Sequence, residues 1–161
     1  MGWSPVGLEC KIVRPVKHSE CWSILPALTN KGYLDWIIYQ GAITAEIFVD
    51  FVIEKVLPHC EAYPNKRSVI ILDNATIHKD LRLKEACNEA GVLLQFLPPY
   101  SPDYNPIEST FKDLKAWIKT NYQLAAEFDQ FPDFLEFAVQ QQSQREVRGH
   151  YRECGYRVTS I

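Results

Sequence analysis

Two short apolar runs constrain this chain more than anything else in it. Ser68-Val69-Ile70-Ile71-Leu72 and Val92-Leu93-Leu94-Gln95-Phe96 are of strand length. Apolar runs without alternation predict strands covered on both faces. Between them, residues 80–90 place Leu83, Ala86, Cys87 and Ala90 at helical spacing, and Gly91 stands where a helix C′ glycine belongs. A strand, a helix and a strand in that order predict parallel pairing through a right-handed crossover.

The flanking segments extend this to an α/β fold. Cys21-Trp22-Ser23-Ile24-Leu25-Pro26-Ala27-Leu28 and Tyr33-Leu34-Asp35-Trp36-Ile37-Ile38-Tyr39 are separated by Thr29-Asn30-Lys31-Gly32, which is turn chemistry. They predict a β-hairpin. Cys10-Lys11-Ile12-Val13 predicts a short strand ended by Pro15. Ile47, Phe48, Phe51, Val52 and Val56 recur at helical steps behind Thr44, a suitable N-cap, and Pro58 marks the exit. The prolines of Leu97-Pro98-Pro99-Tyr100-Ser101-Pro102-Asp103-Tyr104-Asn105 exclude regular structure. Helix resumes at Pro106 behind Asn105, with Ile107, Phe111, Leu114 and Ile118 as its apolar stripe, and a last helix is expected over 124–142 with Phe131, Phe134, Leu135 and Val139 inward. The expected architecture is one mixed sheet with helices on both faces.

Composition narrows the function classes. The chain has 161 residues, 47% hydrophobic and 23% charged, with a net charge of −3, which suits one globular domain. No apolar run reaches the roughly 20 residues of a membrane helix, and no signal peptide is expected at Met1-Gly2-Trp3-Ser4-Pro5. Five cysteines without a Cys-x-x-Cys pair indicate neither a zinc site nor a disulfide framework; reduced, mostly buried thiols are expected. No glycine-rich loop follows any strand, which disfavours a Rossmann-type nucleotide enzyme.

In an open α/β sheet, functional groups gather beyond the carboxyl ends of the strands. Asp73 directly follows the first apolar run. Glu108 lies in the first turn of the helix after the second run, and residues 74–107 intervene. Each acid also has a structural explanation. Asp73-Asn74 suits a strand-end turn, and Glu108, three residues after Asn105, suits a capping box. Spacing alone leaves both explanations standing.

The wording around the two acids resembles one family. Val69-Ile70-Ile71-Leu72-Asp73-Asn74-Ala75-Thr76-Ile77-His78 resembles the second-aspartate strand of DDE superfamily endonucleases. Leu97-Pro98-Pro99-Tyr100-Ser101-Pro102-Asp103-Tyr104-Asn105-Pro106-Ile107-Glu108, continued by Phe111-Lys112-Asp113-Leu114-Lys115, resembles the block holding their third acid in mariner/pogo-like transposases. Trp3-Ser4-Pro5-Val6-Gly7, residues 33–51 and residues 151–156 extend the resemblance over nearly the whole chain.

The resemblance implies an RNase H-like mixed sheet with flanking helices and metal-dependent phosphoryl transfer at DNA ends, in the nucleus. It assigns Asp73 and Glu108 as catalytic acids and ligands of Mg²⁺ or Mn²⁺, and marks His78 and Asn105 as residues that shape the loops or support those ligands. Partners are transposon ends and target DNA, with a homodimer as a further expectation and neither a membrane nor a small-molecule cofactor. The family's first aspartate lies upstream of the Gly2–Gly7 block and has no counterpart here; Asp35 and Asp50 fall where the family needs no ligand. Residues 1–161 are therefore expected to form a single, incomplete catalytic domain lacking its opening strand. Its metal would be weakly held and its activity impaired. The alternative expectation is a non-catalytic, transposon-derived domain kept for DNA or protein interactions.

Lys112, Lys115 and Lys119 follow Glu108 at helical steps. They form either a ridge for the DNA backbone or a solvated face with a Glu108–Lys112 pair. Arg145, Arg148 and Arg152, interleaved with His150, Tyr151 and Tyr156, form a second candidate stripe. The acidic net charge argues mildly against tight autonomous DNA binding.

Overall fold

A computed structural model describes residues 10–13 (backbone), 20–74, 80–143, 145 and 147–158. The element order is β1 (Cys10–Val13), β2 (Cys21–Thr29), β3 (Gly32–Gln40), α1 (Ala45–Phe51), β4 (Val69–Leu72), α2 (Leu81–Glu89), β5 (Leu93–Phe96), α3 (Pro106–Thr120), α4 (Phe131–Ser143) and α5 (Arg148–Glu153). A π-helical turn, Val52–Val56, and a 3₁₀ turn, Leu57–His59, prolong α1 past Pro58. Thr44 caps α1 by accepting from the Ile47 N–H at 3.3 Å, and Asp80 caps α2 by accepting from the Arg82 N–H at 2.8 Å.

β2 organises the molecule. Successive strand residues point to opposite faces, and here both faces are covered. Ile24 enters a core formed with Phe111, Leu114 and Ile118 of α3 and Phe134, Leu135 and Val139 of α4. Leu25, the next residue, enters a second core with Phe48, Val49 and Phe51 of α1 and Leu83 and Cys87 of α2, and Ile70, Leu72 and Leu94 pack onto that second core. The expected stripes of α1, α3 and α4 are the ones buried. Trp117 stacks near Phe134, with centroids 6.2 Å apart, and Trp36 donates its indole N–H to Glu136 at 2.9 Å, tying β3 to α4.

The hairpin turn forms as expected. Thr29 Oγ1 donates to the Gly32 carbonyl at 3.0 Å and accepts from the Lys31 N–H at 3.2 Å. Gly32 has φ +117°, and a Cβ there would collide with the Ser143 carbonyl oxygen at the end of α4.

Several expectations are refined or corrected. Among the described residues, the strands of this mixed α/β fold are not paired into one continuous sheet: β1-β2-β3 is antiparallel and β4-β5 is parallel. Nor are β4 and β5 covered on both faces, since Val69, Ile71 and Leu93 are 42%, 43% and 47% exposed. No described helix packs on that face, whereas α1 and α2 cover the other. The helix expected over 124–142 is divided into a 3₁₀ stretch, Tyr122–Glu127, and α4; Pro132 lacks an N–H and sits in the first turn, where that loss is tolerated. Ala90 is exposed at the end of α2, and of the described cysteines only Cys87 is buried; all are free thiols. Among the described residues no helix is long and apolar enough to cross a membrane.

The close approach of the hairpin turn to α4 yields a test. Gly32→Ala is expected to lower stability by about 1–3 kcal/mol, the range for inserting an atom into a filled site, in chemical denaturation. An unchanged midpoint and slope would show that the turn does not bear on α4.

Candidate functional site

Asp73 leaves the carboxyl end of β4, where the parallel β4-β5 pair ends at Leu72 and Phe96. It is half-buried. From β5 the chain runs through Leu97 and the prolines into a 3₁₀ turn, Pro102–Tyr104, and then into α3. Asp73, Asn105, Pro106 and Ile107 line one cavity of about 390 Å³ together with residues 25–30 of β2 and its turn. The fold therefore brings the end of β4 and the start of α3 to a common space, and Glu108 follows in the first turn of α3.

The capping explanation of Glu108 does not hold. A capping box needs the N-cap side chain to accept from the helix and the Glu side chain to accept from the N-cap N–H. Asn105 makes no side-chain cap bond, and its N–H already donates to the Pro102 carbonyl at 2.9 Å. Its carbonyl accepts from the Glu108 N–H at 3.2 Å. Helix entry is thus fixed by backbone bonds and by Pro106, which is buried at N1. That leaves Asn105 on the cavity wall and Glu108 in the first turn of α3 without a capping box.

The remaining candidates are distributed as follows. Lys112, Lys115 and Lys119 are all exposed on α3, flanking the buried stripe of Phe111, Leu114 and Ile118. His78 lies outside the described residues. Arg145, Arg148 and Arg152 do not form one helical stripe: Arg145 precedes α5, while Arg148 and Arg152 lie within it. Among the described residues, no group of three or more His, Cys, Asp or Glu side chains gathers as a metal site.

Two tyrosines near the C-terminus do something the sequence reading missed. Both line the same cavity as Asp73. Tyr151 donates its hydroxyl to the Leu28 carbonyl at 3.3 Å, and Tyr156 donates to the Tyr104 carbonyl at 2.8 Å. Their rings meet edge to face at 5.8 Å. Burial pushes the Tyr151 phenol well above its ordinary range, with the neighbouring Tyr156 and Cys154 adding to it, so it stays a hydrogen-bond donor at neutral pH. His150 joins α5 to α3 through Asp113 at 2.9 Å. The C-terminal segment therefore acts as a clasp: it holds β2 on one side and the loop before α3 on the other. No periodicity signals this, because the contacts are single residues in a short helix and a turn.

The loop before α3 also carries Tyr100, fully exposed and in a left-handed backbone conformation, φ 56°, which is unfavourable for a bulky residue.

Comparison with known proteins gives the family and the fold. Residues 1–144 match the family model of the DDE superfamily endonucleases. Among curated proteins, none matches the chain. The fold is similar to the catalytic domain of Mos1 mariner transposase, at 14% identity and a TM-score of 0.59, covering 92% of this chain and 74% of that one. The Mos1 catalytic domain with Raltegravir and Mg aligns at 14% identity with a TM-score of 0.58, covering 92% and 75%. Mos1 transposase in a paired-end complex with the left transposon end aligns at 14% identity with a TM-score of 0.57, covering 96% of this chain and 46% of that one. These likenesses establish an RNase H-like fold.

The tyrosine clasp predicts separable effects. Tyr151→Phe is expected to cost about 1 kcal/mol in denaturant unfolding, the usual worth of one partly buried hydrogen bond. Tyr156→Phe is expected to speed limited proteolysis within residues 97–104. A cleavage rate equal to that of the unaltered chain would mean that Tyr156 does not restrain the loop.

Proposed function

The chain belongs to the DDE superfamily endonucleases, and we propose that it acts on DNA as a transposase-type strand-cleaving domain in which Asp73 and Glu108 are the metal ligands. The observation that carries this reading is the meeting of Asp73 with the start of α3 at one cavity, beside an acid whose local capping role is excluded.

The donor chemistry suits a hard divalent cation. Mg²⁺ and Mn²⁺ favour carboxylate oxygen, and Mg²⁺ is commonly held by one or two carboxylates, with water and substrate phosphate completing its shell. When bound, such a cation neutralises charge at the scissile phosphate and polarises the attacking water. The chain's own contribution is positional. Asp73 is fixed by the end of a parallel strand, and Glu108 by a helix whose entry is locked by Pro106. The carboxamide of Asn105, on the wall between them, is available to orient a ligand or water. Tyr151 and Tyr156 keep the loop before α3 against β2. Two acids hold a cation more weakly than three, and the proposal includes that weakness: the 161-residue chain is expected to nick supercoiled DNA poorly.

A second reading is a non-catalytic domain that contacts DNA or protein; it is favoured by the fact that, among the described residues, no three His, Cys, Asp or Glu side chains are grouped to hold a metal. The two readings diverge in calorimetric titration with Mn²⁺. If Asp73 and Glu108 are ligands, Asp73→Asn and Glu108→Gln each weaken binding by about tenfold or more, since even outer partners of ligands are worth that much. Equal affinity in all three proteins would leave only the interaction reading.

The DNA partner is approached by way of α3. Lys112, Lys115 and Lys119 are exposed on the helix that begins at the site, and phosphate contacts there would guide the backbone toward the acids. Each contact contributes a slope of about −0.9 in log affinity against log salt. Replacing the three lysines with glutamine should therefore flatten the salt dependence of DNA binding by about 1 per lysine. Binding by the unaltered chain that is flat between about 50 and 200 mM salt would exclude a phosphate-contacting ridge.

A further inference from the structure

We infer that a small polar cavity walled by β3, α3, α4 and α5 is a binding site for a phosphate-type oxyanion, with Gln142, Arg145 and His150 as its donors. The cavity has a volume of about 260 Å³. Among the described residues, it shares no lining side chain with the cavity that holds Asp73. The sequence groups Arg145 and His150 in one basic stripe. The fold instead sets both on the lining of this cavity, together with Gln142 from the end of α4.

Two nitrogen atoms here lack the partners that burial normally requires. Gln142 is 5% exposed. Its Nε2 is buried with no hydrogen-bond partner among the described residues, and the same holds for Nδ1 of His150. Buried polar atoms are almost always paired, because an unpaired donor loses its water and gains nothing in return. Both side chains line one cavity, which points to a guest that supplies the missing acceptors. The other ring nitrogen of His150, Nε2, donates to the Asp113 carboxylate at 2.9 Å. That bond fixes the ring and places any second ring proton on Nδ1. The Glu153 carboxylate approaches Nδ1 only to 3.8 Å and is 74% exposed, so it stands beyond hydrogen-bond reach.

The occupant follows from these groups. They are donors, so the guest is an acceptor. Arg145 is exposed and lines the same cavity. It adds a guanidinium, whose planar fork matches the oxygens of phosphate. A single water has two lone pairs and cannot accept from an amide, an imidazolium and a guanidinium together. A phosphate group offers enough oxygens for all three. The cavity is also larger than the share of one water, about 30 Å³. The Asp113 carboxylate works against an anion, but His150 Nε2 already engages it. Free phosphate and a phosphate carried by a DNA strand present the same chemistry. The site requires nothing of Asp73 or Glu108, so the cation-binding result and the result below are independent.

The test is an NMR titration of the full chain with sodium phosphate, compared with sodium chloride at equal ionic strength. Resonances of the Gln142 side-chain amide and the His150 ring are expected to shift saturably with phosphate and not with chloride. Arg145→Gln, at an exposed position, should weaken phosphate binding about tenfold or more, the usual contribution of a hydrogen bond to a charged group. Arg152→Gln removes an equal charge outside the cavity and should leave the affinity unchanged. Competition by a DNA oligonucleotide identifies a strand phosphate as the source of the anion, and its failure identifies the free anion. Two results would overturn the proposal. One is the absence of any shift at Gln142 and His150 over the whole phosphate titration, which would mean that water alone fills the cavity. The other is an equal loss of affinity in the two arginine variants, which would mean general charge attraction rather than a site.

Discussion

The arrangement depends on one strand being buried from both sides. In β2, Ile24 and Leu25 are neighbours in sequence and belong to different cores. α3 and α4 are held by the first, and α1, α2 and the β4-β5 pair by the second. Since Asp73 ends β4 and Glu108 begins α3, the two acids belong to opposite layers, and β2 lies between those layers. Replacing either aliphatic residue removes apolar contacts from one core and, through it, the placement of one acid. The large cost of truncating a fully buried aliphatic side chain, about 2–5 kcal/mol, therefore falls on the site as well as on stability.

The same strand explains where the fold is open. A sheet strand needs partners on both edges or a device to protect the bare one. β2 uses Pro26, which removes a donor, and the Tyr151 hydroxyl, which satisfies the Leu28 carbonyl. β4 has no comparable device among the described residues, and its exposed face is aliphatic. The asymmetry is physical: the edge of β2 is closed by these two devices, and the outer edge of β4 has no strand beside it among the described residues.

Much of the fold was legible because it rests on period. The stripe Phe111, Leu114 and Ile118 could be read directly, as could Phe48 and Phe51, Phe134 and Leu135, and the cap at Thr44. The reading failed where period carries no information. Val69-Ile70-Ile71-Leu72 is uniformly aliphatic, so the sequence predicts cover on both faces, yet cover depends on which helices reach the strand. The division into two sheets is likewise a matter of long-range pairing. At the site, the acids were marked by the wording around them, while Glu108 could be read as a cap or a ligand; the hydrogen bond from the Asn105 N–H to Pro102 speaks against the cap. Tyr151 and Tyr156 were grouped with arginines as a surface stripe, because an aromatic that fastens a loop looks in sequence like one that contacts a partner.

The central claim is that Asp73 and Glu108, from different layers, address one cation. Paramagnetic broadening by Mn²⁺ in the NMR spectrum of the chain measures this directly, because the effect falls steeply with distance from the ion. At low Mn²⁺ occupancy, resonances of Asp73 and of residues 105–108 should broaden together and recover together on adding excess Mg²⁺. Broadening confined to one of the two segments, or spread over surface carboxylates elsewhere without either, would contradict the account.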